Sequence, residues 1–493
     1  IDCISESRNA VDTSQLACCA IANLVEAASN MPLVVNSGCV ALLIGALDSD
    51  SESVQRESAR AIGNLAVNID HCDLVMKHGA AKRLVACFKS RNCECQRMAA
   101  MALSNLSSNL KSHTDLLECD ILSLVKTECL ASLDPKRFSD HETARFCILI
   151  ISNLTGSEQN HPHMDSFFDI LMDFTRHRDV RCRQHAVLAM GNLCTNPLHI
   201  ERLLEVKCMD ALMAFSFPPT TEHNTNAQFQ AIAGLHGISK HANLRVSLLR
   251  EGGLEPLIIG AQGNNRFSCM EIQREAAAAL SNLALAEANR ILIAKSGALP
   301  ALVNLVKKPD TICQVHAGTA LANLAESSGE VHALILSEQC LGPMCQLIQD
   351  QSTHVNVKQA VSRCIALFAS NVETHTHLLQ VSVIDSIKML ATSSSDAQCE
   401  RFCALTVANL ALVRENHSVL LNADTVESLL PLIHSDDIET LRGISFAIHS
   451  FSIHEENHSM LELTAAVQSL VTLARCGDRD SSLQACIAVK YLC

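Results

Sequence analysis

The dipeptide Asn-Leu recurs along this chain at near-constant spacing. It stands at Asn23-Leu24, Asn64-Leu65, Asn105-Leu106, Asn153-Leu154, Asn192-Leu193, Asn282-Leu283, Asn323-Leu324 and Asn409-Leu410. Degenerate copies at Gly237-Ile238, Ala369-Ser370, Ser450-Phe451 and Tyr491-Leu492 fill the gaps, so successive sites lie 39 to 48 residues apart. A period of about 40–47 residues is that of a stacked helical solenoid, whose single unit is too small to bury its own apolar face. The expectation is one all-α array over residues 1–493, with about twelve repeats and incomplete first and last units.

Composition agrees. Apolar residues make up 48% and aromatics 3%, with no Trp and one Tyr, so Leu, Ala, Val and Ile do the packing. No stretch approaches the roughly 18 apolar residues of a membrane helix, which argues against direct membrane insertion. The 24 cysteines show no compact spacing framework and read as reduced, buried, small apolar residues. That points to a reducing, cytoplasmic setting, with cytoskeleton or cilium as finer options. A net charge of −14 argues against nucleic acid, whose binding needs a basic surface.

The stretch Gln273 to Lys308 shows the unit in detail. Gln273 to Ala284 lacks Gly and Pro, and Ala276, Ala279, Leu280 and Leu283 fall at i, i+3, i+4, i+7 on one apolar face. Asn289 is expected to cap a short helix, Arg290 to Lys295, and Gly297 to break it in a left-handed turn. Pro300 sits in the first turn of the next helix, which ends near Lys308-Pro309-Asp310. The unit thus has three helices: short, medium and long. Gly recurs fifteen residues after the dipeptide at Gly38, Gly79, Gly252 and Gly297. Asn recurs seven after it at Asn30, Asn160, Asn289, Asn416 and Asn457.

Ala-Leu-Ser-Asn-Leu-Ala at 279–284, Ala-Leu-Ala-Asn-Leu-Ala at 320–325 and Lys-Ser-Gly-Ala-Leu-Pro-Ala-Leu-Val at 295–303 resemble the armadillo repeat. The regular repeats look most like those of vacuolar-type armadillo scaffolds and the armadillo proteins of cilia and flagella. The resemblance implies a right-handed superhelix with the long third helices lining a concave groove. It also implies an interaction scaffold with no enzymatic activity and no cofactor.

Insertions are expected near 132–142, 217–227, 262–270 and 349–356, as polar or Pro-containing loops on one rim. The chain starts without Met and ends at Tyr491-Leu492-Cys493, inside a repeat and without a polar cap. The expectation is therefore a piece of a longer protein, or an end covered by a partner.

His454-Glu-Glu-Asn-His458 matches the zinc-protease pattern His-Glu-x-x-His. Glu415-Asn416-His417-Ser418 repeats its second half one period earlier, which favours a repeat feature over a metal site. Cys93-Glu94-Cys95, Cys18-Cys19, His161-Pro162-His163 and His375-Thr376-His377 lack a second pair at zinc spacing. No phosphate-cradling Gly loop and no Ser-His-Asp signature appears, so neither metal nor catalytic residues are assigned.

The third-helix face carries two candidate features. Asn23, Asn64, Asn105, Asn153, Asn192, Asn282, Asn323 and Asn409 form an amide ladder able to pair with an extended peptide backbone, or to bridge neighbouring helices. Eight residues before the dipeptide, Arg56, Arg97, Arg145, Arg274, Arg401 and Arg442 form a basic column. It suits an acidic extended partner, or pairing within the array. Importin-type members of the family grip basic peptides with Trp four residues before each Asn. Here those positions are Cys19, Arg60, Met101, Leu149, Leu188, Ala278 and Thr319, which argues against nuclear-signal recognition.

The reading is a non-enzymatic scaffold that binds extended segments of other proteins along the groove. The alternatives are a permanent component of a large cytoskeletal assembly such as a ciliary axoneme, and a regulatory segment of a larger enzyme. The best place to look for a ligand is the amino-terminal half.

Overall fold

The computed structural model describes residues 11–134, 140–216, 224–263, 269–327, 329–381, 383–393, 396–422, 425–463 and 466–492. Among them every regular element is helical, and the fold is an all-α solenoid. Twelve long helices set the period. They are α1 (Val11–Leu24), α2 (Glu52–Leu65), α3 (Cys93–Leu106), α4 (His141–Thr155), α5 (Val180–Leu193) and α6 (Thr225–Ser239). The series continues with α7 (Met270–Leu283), α8 (Thr311–Ala325), α9 (Val355–Ala369), α10 (Ala397–Leu410), α11 (Ile438–Ser452) and α12 (Arg479–Leu492). Shorter helices fill the intervals, as Glu287–Lys295 and Ala298–Val306 do between α7 and α8.

The chain forms two compact units, Ile1–Ile238 and Ser239–Cys493. In the first, α1 packs on α2, α2 on α3, α3 on α4 and α4 on α5. In the second, α7 to α12 pack in the same successive way. The apolar face read from α7 is the core face, with Ala276, Ala279, Leu280 and Leu283 all fully buried. Contact between long helices is close enough to require glycine: a Cβ at Gly191 of α5 would run into the Gln230 carbonyl of α6.

Local chemistry starts and stops each unit. Side chains of Asn92, Asp140, Asp179, Asp310, Asp396 and Asp437 cap the amino ends of α3, α4, α5, α8, α10 and α11. The corner before the medium helix is left-handed. Gly38, Gly79, Gly252 and Gly297 have φ of 78°, 78°, 94° and 87°. Asp120, Lys207 and Gln339 take the corresponding corners at 56°, 60° and 55°, without glycine.

Two local expectations are corrected. The short helix begins at Glu287, not after Asn289, and Asn289 is no amino-terminal cap. Its amide instead donates to the Leu283 carbonyl (3.1 Å) and the Arg245 carbonyl (3.0 Å), satisfying a helix end that the backbone leaves open. Asn160, Asn416 and Asn457 do the same to Leu154, Leu410 and Phe451.

The second correction is register. His113 and His417 bond the carbonyls of Ser107 and Ala411, two residues beyond Asn105 and Asn409. His375 bonds Ala369, so Leu367-Phe368, not Ala369-Ser370, occupies the dipeptide position in α9. His454 and His458 do not share a helix turn. His454 precedes the 3-10 turn Glu455–Asn457, while His458 opens the next helix with Nε2 on the Ser452 carbonyl.

The expected insertions fall mostly on 135–139, 217–223 and 264–268, outside the described residues. At the fourth, Asp350 closes a turn by accepting from the backbone N–H (2.8 Å) and hydroxyl (2.7 Å) of Ser352.

A second ladder, on the short helices, is absent from the sequence reading. His113, His375 and His417 each donate Nε2–H to the carbonyl end of the preceding long helix. Their Nδ1 atoms accept from the amides of Asn160 (2.7 Å), Asn416 (2.9 Å) and Asn457 (2.9 Å) one repeat later. The carbonyl partner forces the proton onto Nε2, and the amide partner forces Nδ1 to be an acceptor, so these imidazoles are neutral. Burial pushes the pKa of His113 and His417 below the usual histidine range.

Candidate peptide-binding face

The asparagine of each Asn-Leu pair sits in the last turn of a long helix, where backbone carbonyls lose their i+4 partners. That geometry gives the side chain a first task. Asn64 Nδ2 donates to the Ala22 carbonyl at 3.0 Å, Asn105 to Gly63 at 2.9 Å and Asn153 to Ser104 at 3.1 Å. Asn323 donates to Ser281 at 3.0 Å. Each acceptor is the residue just before the asparagine of the preceding repeat. Asn192 and Asn282 reach a hydroxyl two residues after it instead, Thr155 at 3.3 Å and Ser239 at 3.1 Å. Asn409 holds the same register in α10 and is half-buried.

Fixing Nδ2 on a carbonyl fixes Oδ1 as well, since the two atoms share one planar amide. The Oδ1 atoms of Asn64, Asn105, Asn153 and Asn192 accept no hydrogen bond among the described residues. All four side chains are half-buried. Two other members are closed. Arg60, four residues before Asn64, donates to Asn23 Oδ1 at 2.8 Å and is braced by Glu26 and Glu57. Arg363, four before Leu367, donates to Asn323 Oδ1 at 2.8 Å and pairs with Glu326. Asn323 is 1% exposed. Next to the open stretch, Met101, Leu149 and Leu188 are half-buried apolar side chains on α3, α4 and α5.

Most of the basic column is engaged within the array. Arg97 grips Asp140 at 2.7 and 2.9 Å, and Arg274 grips Asp310 at 2.6 Å. Arg401 pairs with Asp437, and Arg442 with Asp478 at 2.9 Å and Asp480 at 3.1 Å. Arg56 holds Glu57 (2.9 Å) and Glu94 (2.6 Å). Asp140, Asp310 and Asp437 are the caps of the following long helices, and Asp478 accepts from the Ser481 N–H in the same way. One carboxylate thus caps a helix and clamps the arginine of the repeat before it. Hydrogen bonds from Arg274 and Arg401 hold Asp310 and Asp437 at about 2. The guanidinium of Arg442 holds Asp478 well below the usual carboxylate range.

The aspartate partners are legible after the fact as Arg followed by Asp 36 residues on: 274 and 310, 401 and 437, 442 and 478. Arg97 and Asp140 are 43 apart because an insertion intervenes. Arg145 is different: it makes no hydrogen bond among the described residues, and its nearest carboxylate is Glu142 at 3.7 Å. Among the described residues no cluster of three or more His, Cys, Asp or Glu is arranged to hold a metal ion.

A family model described as Armadillo/beta-catenin-like repeat matches residues 30–67 and 287–326. These two matches cover one three-helix period in each unit, in the register set by the asparagine bridges. These two stretches are armadillo repeats. Vacuolar protein 8 of Candida albicans (strain SC5314 / ATCC MYA-2876) is 26% identical over 198 residues, 40% of this chain. The match spans 33% of that relative's length. Among solved structures, an engineered protein superposes with a TM-score of 0.72 at 21% identity, covering 83% of this chain and 98% of its own. A chain from work on a phosphorylation switch controlling the interaction between cadherin and beta-catenin gives 0.69 at 14% identity. It covers 100% of this chain and 99% of its own length. At these identities the likeness speaks to fold.

Proposed function

We propose that this armadillo chain is a non-enzymatic scaffold that binds an extended segment of another protein along α2 to α5. One observation carries the reading: Asn64, Asn105, Asn153 and Asn192 present four successive anchored amides whose Oδ1 atoms accept no hydrogen bond among the described residues. An extended backbone presents N–H donors at regular spacing, which such acceptors can receive without the side chains moving. The apolar side chains Met101, Leu149 and Leu188 offer contact for alternate residues of the segment. Arg60 closes Asn23 at one end of the run, so the segment begins beyond it.

The test is a peptide selection on the full chain, repeated with Asn105→Ala and Asn153→Ala together. Loss of binding of about tenfold per amide is expected, with melting followed separately. Peptides that bind the double variant as well as the parent would overturn the reading.

A fixed place in a larger assembly is the second reading. It is favoured by large apolar side chains left exposed at helix corners: Val67, Leu110 and Leu198 in the first unit are 68%, 64% and 84% exposed. Light scattering of Leu198→Ser against the parent tests it, since equal self-association and equal partner binding would remove its support.

A further inference from the structure

Five of the six column arginines hydrogen-bond a carboxylate, and Arg145 on α4 is the exception, with only a long ion pair to Glu142. Its side chain is 22% exposed, makes no hydrogen bond among the described residues and lies over the Phe146 ring at 5.3 Å. A guanidinium has five N–H donors, and leaving them unpaired out of water is costly. Glu142, its nearest carboxylate at 3.7 Å, is shared with Arg97 at 3.6 Å. The cap aspartate that clamps its siblings is present as Asp179, with its Oδ1 taken by the N–H groups of Arg181 (2.8 Å) and Cys182 (3.0 Å). Asp179 acts on Arg145 through space, without an ion pair.

A second unsatisfied group lies beside it. His185 of α5 has a buried Nδ1 with no partner among the described residues. Burial first, then the charges of Arg145 and Arg181, push its pKa down to about 4, so the ring is neutral at physiological pH. Arg181 on the same helix is exposed. Arg145 of α4 and Arg181 of α5 therefore gather positive charge around His185, with the open acceptors of Asn153 and Asn192 on the same two helices.

The filled siblings show what is missing. At Arg97, Arg274, Arg401 and Arg442 the guanidinium is completed by a carboxylate from the next repeat. We infer that Arg145, flanked by Arg181 and His185, is the seat for an anionic side chain of the bound segment, a carboxylate or a phosphate. This inference rests on the groove reading above. It narrows the six-arginine column to one position, and it makes the partner an extended segment with an acidic residue in fixed register.

The test uses a randomised twelve-residue peptide library selected against the full chain, against Arg145→Met and against the Asn105→Ala, Asn153→Ala double variant. Peptides selected on the parent are expected to share Asp or Glu at one position, and the Met variant to lose that preference. In a selected peptide, Glu→Gln should weaken binding about tenfold to the parent and leave binding to Arg145→Met unchanged. Phosphoserine at that position separates the sources: tighter binding than Glu identifies phosphate, and weaker binding identifies carboxylate. Binders that need the asparagines but show no acidic preference, or keep it in Arg145→Met, overturn the seat and leave the groove standing. Binders indifferent to the asparagine variants overturn the groove and the seat with it.

Discussion

The two units use the same positions for opposite ends. In Ile1–Ile238 the amide ladder is unbroken from Asn64 to Asn192, and only Arg97 has a capping aspartate in its grip. In Ser239–Cys493 three arginines are clamped by aspartates, the ladder is interrupted at Leu367 and Ser450, and Asn323 is buried with its acceptor closed by Arg363. The lesson is that a position on the long helix is not a function. An asparagine or arginine serves a ligand only where the neighbouring repeat leaves part of it unused.

Substitutions can break this comparison, and the largest effects should come where the units are built alike. Asn160→Ala and Asn416→Ala each orphan a buried histidine Nδ1 and a helix-end carbonyl, and each should cost about 2–3 kcal/mol. Thermal melting with hydrogen exchange localises the loss. A markedly smaller effect in one unit would show that the His–Asn bridge is not an equal support in both.

Asp437→Ala comes next, because it removes a helix cap and strands Arg401. The cost should be about 1–2 kcal/mol, most of it from the cap, since Arg401 is 41% exposed and solvent screens the pair. Exchange should rise at α10 and α11 and not in the first unit.

Acid separates the units by window. His113 and His417 have folded pKa values below the unfolded value of about 6.5, so their contribution is complete above that pH and is lost as pH falls through it. One lies in each unit, so both should soften together. Asp310 and Asp437 are depressed to about 2, so their contribution is present above about 4 and lost as pH falls towards 2. Below pH 4 the second unit should lose protection faster. Equal acid profiles, read by exchange at stepped pH, would contradict the assignment of the clamps.

Arg145→Met should be the mildest, within about 0.5 kcal/mol of the parent in stability, because no hydrogen bond is lost. A large drop in melting temperature would mean that Arg145 is structural, as its siblings are.

Some of this was legible in the chain and some was not, for physical reasons. The period, the left-handed corners at Gly38, Gly79, Gly252 and Gly297, and the buried face of α7 follow from local rules of spacing and backbone freedom. Asp120, Lys207 and Gln339 hide the same corner, because tertiary packing holds non-glycine residues there. The His–Asn bridges and Arg–Asp clamps join residues 36 to 47 apart, each chemically ordinary in its own neighbourhood. The register of α9 was misread because Leu367-Phe368 keeps the packing of the dipeptide without its amide. The closed state of Asn23 and Asn323 depends on Arg60 and Arg363, which a pattern of asparagines alone does not register.

The asparagine bridges have a consequence for how such a chain can change length. Donor and acceptor are 42 residues apart at Asn64, Asn105 and Asn323, and 49 apart at Asn153, where an insertion intervenes. Excising or duplicating one whole period hands each amide an equivalent carbonyl, and the splice is chemically silent. Any other change must be absorbed in a loop or leave a helix end bare. Lineages carrying this architecture are thus free to grow and shrink by complete modules, and to tolerate ragged lengths only at the rim.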